Sequence, residues 1–257
     1  MNKIFGLDSP LIQFLNKVAD LMWLNILTML CCIPIVTIGA SLTSAHYVAL
    51  KMKRNEEGYI SKEFFKAFKM NFKQSTLIWL IILLIAAVIG ADLYIMKEMD
   101  LGIPEFLQVV IMAIGILVLF MTVWVFPVQA KFINTLSKTM KNAFALSVIQ
   151  IPKTILMIIL YVAPPFLCIW FMQIFPIYFV LGISLPVYVS AILYNKMFQK
   201  LEDKILERMA GENGEESGEE VTDDAKDGTD DVNGDDAEET EKIFSDKPIF
   251  NEEEEQQ

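Results

Sequence analysis

Two carboxylates stand in or beside long apolar stretches of this chain, Asp20 and Asp92. An ionisable side chain within a membrane segment is costly, so such residues often mark an ion pathway or a proton relay. Asp20 follows Lys17 by three residues, a spacing that permits a local ion pair on a helix. Both acids lie near the ends of their stretches, within reach of interfacial water. A structural or interfacial role is therefore favoured over ion coupling, and no third acid at mid-depth supports a proton-driven transporter.

Other residues with reactive side chains are few. The single histidine, His46, excludes a site built from several histidines, and a structural role is favoured for it over a proton relay. Cys31, Cys32 and Cys168 lie in apolar stretches, and the adjacent pair has neither disulfide geometry nor metal-ligand spacing. The chain carries no zinc-protease helix motif, phosphate-binding glycine loop or nucleophile elbow. We therefore expect no catalytic, metal or cofactor residues, and a protein that is not an enzyme.

Long apolar stretches must position these side chains. Each is about as long as the roughly 20-residue helix that crosses a bilayer, and none contains Lys or Arg. They are Val18–Ile38, Thr76–Met96, Phe106–Phe126, Ile155–Phe175 and Ile177–Tyr194. The sequence thus predicts an all-α, polytopic membrane helix bundle with about five transmembrane helices, whose first partner is the lipid bilayer.

The charge divides the chain in two. Residues 1–210 hold 12 acidic and 18 basic residues, whereas residues 211–257 hold 20 acidic residues and three lysines. We predict a membrane helix bundle over 1–210 and a disordered acidic tail over 211–257, because the tail has too few apolar residues to build a core. No nucleic-acid partner is expected. Two apolar pairs interrupt the tail and are equally consistent with a short partner-docking motif or with chance: Ile243, Phe244, Ile249 and Phe250.

The distribution of Lys and Arg predicts the orientation. Connections after the first and third stretches, and the segment after the fifth, are basic, which places them and the C-terminus in the cytoplasm. Five spans then put the N-terminus outside. An alternative begins a helix near Pro10, ends it at about Cys32, breaks it at Pro34 and starts another at Ser41 that runs through Arg54. If that break turns the chain back, the first region is a re-entrant hairpin and the N-terminus is cytoplasmic.

Two connections have the pattern of amphipathic helices at the membrane surface. In Ser61–Gln74, lysines and phenylalanines form separate stripes at helical spacing, and residues 131–142 repeat the pattern. One interpretation is a docking surface for a cytoplasmic partner; the other is a pair of topology-setting helices bound to anionic lipid. The candidate docking residues of the first helix are Phe64, Phe65, Lys66, Phe68 and Lys69.

Three segments resemble the YesL family of bacterial integral membrane proteins of unknown function. They are Leu24–Leu27, the Pro-Ile-Val-Thr-Ile-Gly-Ala element Pro34–Ala40, and Phe64–Gln74. The resemblance covers roughly residues 5–200 and implies a plasma-membrane protein linked to Gram-positive carbohydrate-utilisation loci, often beside sugar ABC importers. It favours a non-enzymatic accessory or regulatory protein whose partners are ABC permease subunits or another membrane protein. The alternative is a small-solute transporter or channel built on proline-kinked spans.

Overall fold

Nearly all of the described part of the chain is helical. A computed structural model describes residues 10–56, 58–98, 105–132, 134–171, 173 and 175–215. Its elements are α1 Pro10–Cys32, a 3₁₀ turn Ile35–Thr37, α2 Ile38–Arg54, α3 Ile60–Glu98, α4 Glu105–Lys131, α5 Leu136–Ile149, α6 Ile151–Trp170, α7 Phe175–Leu181 and α8 Ser184–Glu215.

Four of the described helices are long and apolar enough to cross a membrane. They contain Leu11–Cys32, Ile60–Met96, Phe106–Lys131 and Ile151–Trp170. Large apolar side chains are exposed on their outer faces, as on Leu84, Val109 and Ile159. The prediction of an all-α membrane bundle is confirmed. The fifth predicted span is not one helix, because the chain breaks at Gly182 and Ile183 between α7 and α8.

The first predicted span is instead one arm of a helical hairpin. Lys17 Nζ donates to Asn55 Oδ1 at 2.8 Å, which places an early turn of α1 beside the end of α2. Ser41 Oγ donates to the Thr28 carbonyl at 2.9 Å. The two helices are therefore antiparallel, and the hairpin alternative describes the fold better than a plain first span. The second arm starts at Ile38, ahead of the predicted start at Ser41.

The tip of this hairpin packs tightly on α3. Trp79 Nε1 donates to the Ile35 carbonyl at 2.9 Å, and the hydroxyls of Thr43 and Ser75 lie 2.9 Å apart. A Cβ added at Gly39 would overlap the Ser75 carbonyl oxygen and come within 2.6 Å of Trp79 Cβ. Glycine is therefore required at this position because the backbones of α2 and α3 approach too closely for a side chain.

Replacing Gly39 by alanine is expected to destabilise the protein by roughly 1–3 kcal/mol, the usual cost of overpacking. Gly90→Ala is the matched control, because nothing lies within 4 Å of a Cβ at that position. Alanine favours a helix over glycine by about 1 kcal/mol, so the control should be neutral or stabilising. Thermal unfolding of both variants in the same detergent measures the difference. Similar midpoints for the two would contradict the close packing of α2 on α3.

The surface helix predicted over Ser61–Gln74 is continuous with the second span. α3 has 39 residues, about 58 Å at a rise of 1.5 Å per residue. Even tilted by about 40°, it projects roughly 45 Å along the bilayer normal, which exceeds a hydrocarbon core of about 30 Å. Its charged first turns therefore extend beyond the core, and they do so as part of the spanning helix.

The second surface helix begins later than predicted. α4 continues to Lys131, and α5 begins only at Leu136. Asn134 and Asn142 are buried, whereas Lys138 and Lys141 are exposed. At the other end of the chain, α8 extends to Glu215, so residues 211–215 of the predicted tail are helical. Residues 216–257 lie outside the described part.

Two clusters of buried apolar side chains form the core. One joins α2, α4, α6 and α8 around Trp124, Tyr194 and Phe198. The other joins α1, α2 and α3 around Leu24 and Phe64. The second cluster lies beside the charged first turns of α3, and the α3 residues of the first cluster, Ile78 and Ile82, follow those turns. The later part of α3 and most of α4 have exposed apolar surface.

Candidate functional site

The outer side of the first turns of α3 carries an exposed charged surface. Lys62, Lys66, Lys69 and Lys73 are all exposed. Phe65 and Phe72, 44% and 37% exposed, flank them. Spacings of three, four and seven residues place these side chains on one side of a helix. We call the six residues the basic face: Lys62, Phe65, Lys66, Lys69, Phe72 and Lys73.

A ladder of aromatic rings connects the basic face to the core. Phe64 contacts Phe65 edge-on with centroids 5.6 Å apart and stacks on Phe68 at 6.2 Å. Phe68 and Phe72 follow at 5.4 Å. Phe64 is fully buried and Phe68 is half-buried, so the ladder fixes the rotation of α3 about its axis.

The candidate docking residues therefore separate into two groups. Phe65, Lys66 and Lys69 lie on the basic face, where a partner can reach them. Phe64 belongs to the core and Phe68 lies partly beneath the face. The apolar pairs of the tail lie outside the described residues: Ile243, Phe244, Ile249 and Phe250.

An ionic cluster joins the ends of α2 and α4 to the middle of α8. Glu202 of α8 accepts hydrogen bonds from Lys131 Nζ at 2.6 Å and Arg54 Nη1 at 3.0 Å. These are the last residues of α4 and α2, where a positive charge also favours the helix dipole. Arg54 Nε donates to Asn195 Oδ1 at 3.0 Å, and Lys51 pairs with Glu63 at 3.1 Å. The basic connections thus meet on one side, together with the start of α1.

Amide side chains hold α5 against α3 and α4. Gln74 Nε2 donates to the Asn134 carbonyl at 2.7 Å, and Gln129 Nε2 donates to Asn71 Oδ1 at 3.2 Å. Thr139 Oγ1 lies 3.3 Å from Gln129 Oε1. These contacts explain why polar positions of the second predicted surface helix face the protein.

His46 is the centre of a buried chain of hydrogen bonds. Ser190 Oγ donates its one proton to the Val187 carbonyl at 2.7 Å. Tyr161 Oη, 2.8 Å from Ser190 Oγ, must therefore donate to Ser190. Tyr161 Oη then accepts from His46 Nε2, 3.2 Å away. His46 Nδ1 is left to accept from Tyr194 Oη at 3.0 Å. The direction of every bond follows from the one proton on each group.

These hydrogen bonds link α2, α6 and α8 and end on a backbone carbonyl. Burial lowers the pKa of His46 to about 3, so the imidazole is neutral over the physiological range. Among the described residues, these hydrogen bonds reach no carboxylate. The arrangement fits a structural link between the three helices, in keeping with the role favoured for this histidine.

Asn25 holds the break between α7 and α8. It is completely buried on α1, and its Oδ1 accepts from the amides of Ile183 at 2.9 Å and Ser184 at 3.0 Å. Its Nδ2 donates to the Phe179 carbonyl at 2.7 Å. The first amides of a helix have no acceptors within that helix, and here the side chain of Asn25, on another helix, accepts their hydrogen bonds. Sequence reasoning missed this residue, although an asparagine between Leu24 and Ile26 was the available signal.

The two candidate intramembrane acids lie in different places. Asp20 is half-buried on α1 and Asp92 is exposed on α3. Trp23, one turn from Asp20, donates to Ser61 Oγ at 2.7 Å. From Ser61 to Asp92 the helix rises about 46 Å. The two carboxylates therefore belong to no common site.

Among the described residues, no three His, Cys, Asp or Glu side chains lie close enough together to hold a metal ion.

Comparison with known proteins gives a family match over part of the chain. No curated protein matches the chain, and no solved structure matches it. Residues 21–93, which run from α1 through the hairpin into α3, match the family described as protein of unknown function, DUF624.

Proposed function

We propose that this chain is a non-enzymatic accessory or regulatory protein of the bacterial plasma membrane that binds a membrane-protein partner through the basic face. The observation that carries the proposal is the first half of α3, which presents four exposed lysines and two partly exposed phenylalanines. Phenylalanine is enriched in the cores of protein–protein interfaces, and surrounding charges steer a partner of opposite charge. The ladder and the pair between Lys51 and Glu63 hold that surface rigidly, which lowers the entropy lost on binding.

Orientation and partner class complete the proposal. The basic face, the ionic cluster and the later half of α8 lie on one side, which the excess of Lys and Arg assigns to the cytoplasm. The C-terminus is then cytoplasmic. YesL is a DUF624 family, and the resemblance is the reason for choosing sugar ABC permease subunits as the partner and carbohydrate uptake as the process.

Affinity purification of the full chain from native membranes in mild detergent, followed by mass spectrometry, tests the proposal. Wild-type protein should recover permease subunits. K66E/K69E should reduce that recovery about tenfold, because two repulsive charges would stand at the centre of the surface. K138E/K141E, which changes the charge equally on α5, should retain recovery. Equal loss from both variants, or no permease with wild type, would reject the docking role of α3.

The second candidate function is a small-solute transporter or channel, favoured by the break between α7 and α8. Transporters commonly place substrate sites where helices are discontinuous within the membrane. Here Gly182 leaves no room for a side chain beside Tyr178, and Asn25 satisfies the backbone at the break. Purified protein that moves labelled sugars or ions into liposomes without any partner would favour this function over the accessory role.

A further inference from the structure

A groove of about 290 Å³ runs between α6 and the break that separates α7 from α8. Its wall is almost entirely apolar, because glycine, alanine and prolines leave space that the neighbouring leucines do not fill. The groove is lined by Leu156, Ile159 and Ala163 of α6 and by Tyr178, Gly182 and Leu185 opposite. It is continuous with the exposed apolar surface of α6 that includes Ile155, Val162 and Phe166.

Two lysines stand at the end of this groove that faces the basic side. The hydroxyls of Tyr161 and Ser190 lie 2.8 Å apart where α6 and α8 meet. The helices run in opposite directions, so Lys153 and Lys200 both lie about two to three turns from that contact, on the same side. The charge of Lys200 acts on Lys153, which is half-buried, while Lys200 is exposed.

No carboxylate of the described residues forms an ion pair with either lysine at this end. The carboxylate of Glu202 on α8 is bound by Lys131 and Arg54, and Asp203 is exposed. Two neighbouring ammonium groups without a carboxylate repel each other, and an anion placed between them would relieve that repulsion.

The distance from the lysines to the groove matches one leaflet of a bilayer. From Lys153 to Ala163 the helix rises about 15 Å. The hydrocarbon core is about 30 Å thick, so one acyl chain occupies about 15 Å of depth. A headgroup phosphate at the lysines would therefore place its chain along the groove.

We propose that α6, α7 and α8 bind one anionic phospholipid, with its phosphate between Lys153 and Lys200 and one acyl chain in the groove. The charge selects an anionic headgroup over a zwitterionic one. The apolar wall and the continuity with lipid-facing surface select an acyl chain over a polar ligand. The site is separate from the basic face, and it does not depend on the accessory role.

Thermal unfolding of the purified full chain in detergent, titrated with phosphatidylglycerol, measures the affinity. The midpoint should rise with phosphatidylglycerol but not with phosphatidylcholine, which lacks the net charge. Glycerol 1-phosphate, which carries the headgroup charge without acyl chains, should leave the unfolding midpoint unchanged, as phosphatidylcholine does. A rise with phosphatidylcholine would overturn the charge selection, and a rise with glycerol 1-phosphate would show a free-phosphate site instead.

The lysine assignment is tested by K153Q/K200Q against K69Q/K73Q, which removes the same charge from α3. A lysine near anionic lipid contributes roughly fivefold to binding, so the first variant should weaken the phosphatidylglycerol affinity about 30-fold and the second about twofold at most. Equal weakening would reject a site between α6 and α8 in favour of general attraction to anionic lipid.

The groove is tested by photocrosslinking with phosphatidylglycerol that carries a diazirine near the end of one chain. Crosslinks in wild type should map to peptides of α6, α7 and the start of α8. A163F, which fills the groove, should abolish them, and K69Q/K73Q should keep them. Crosslinks spread evenly over the spanning helices of wild type would overturn the proposal whether or not A163F folds.

Discussion

Replacing Glu202 by glutamine is expected to destabilise the folded protein by roughly 3–5 kcal/mol, as measured when one partner of a buried ion pair is removed. Its carboxylate accepts from Lys131 and Arg54, whose side chains are 0% and 8% exposed. Glutamine keeps the shape but removes the negative charge, so two buried cations lose their shared anion. Because the cluster joins α2, α4 and α8, the loss should appear as a single lower unfolding midpoint.

Glu207→Gln is the matched control, since Glu207 is exposed on the same helix and the change in charge is the same. It should alter stability by no more than about 0.5 kcal/mol, as surface substitutions usually do. Thermal or urea unfolding in one detergent compares the two variants. If Glu202→Gln loses no more stability than Glu207→Gln, the ionic cluster does not hold these helices together.

The ionic cluster also shows what sequence reasoning could not reach. A count of charges predicts that Arg54 and Lys131 lie on the same side of the protein without any knowledge of contacts, and both bind Glu202. Their partner is far away in the chain, and nothing in the local sequence of Glu202 marks it as buried. The class of the protein followed from length and composition, but the pairing of helix ends depends on tertiary packing.

The hairpin illustrates the intermediate case. Pro10 at the start of α1, the end at Cys32 and the break at Pro34 are local signals, and the sequence located all three. Whether the chain turned back or continued across the bilayer depended on contacts such as that between Gly39 and Ser75, which only the fold reveals. Likewise, the apolar length of Ile177–Tyr194 predicted one span, whereas Gly182 and the buried Asn25 allow a break that hydropathy does not register.

For the candidate site, periodicity predicted separate stripes of lysines and phenylalanines on α3, whereas Phe65 and Phe72 lie among the lysines and Phe64 belongs to the core. A phenylalanine that faces lipid and one that faces another helix have the same pattern, because both environments are apolar. The exposure of Lys66 and Lys69 was predictable from charge alone. The rigidity of the basic face comes from ring contacts with the core, which follow from the packing of α1 and α2 on α3.

Replacing Asn25 by leucine is expected to have an effect of comparable size. The change leaves the buried amide of Ser184 without its partner, together with the partly buried amide of Ile183 and carbonyl of Phe179. Each buried polar backbone group without a hydrogen bond costs about 1–3 kcal/mol, so the loss should be at least about 3 kcal/mol. Leucine branches at the same carbon as asparagine but is larger, so overpacking at this completely buried position adds to the loss.

Asn16→Leu provides the control, because it makes the same exchange at an exposed position of α1. Unfolding midpoints should separate the two variants, and hydrogen exchange should localise the difference. In Asn25→Leu the amides of Ile183 and Ser184 should exchange much faster, while those in the middle of α3 keep their protection. If exchange at the break is unchanged, α6 and α8 alone hold α7 in place, and the support that Asn25 gives to a transporter-like discontinuous helix is removed.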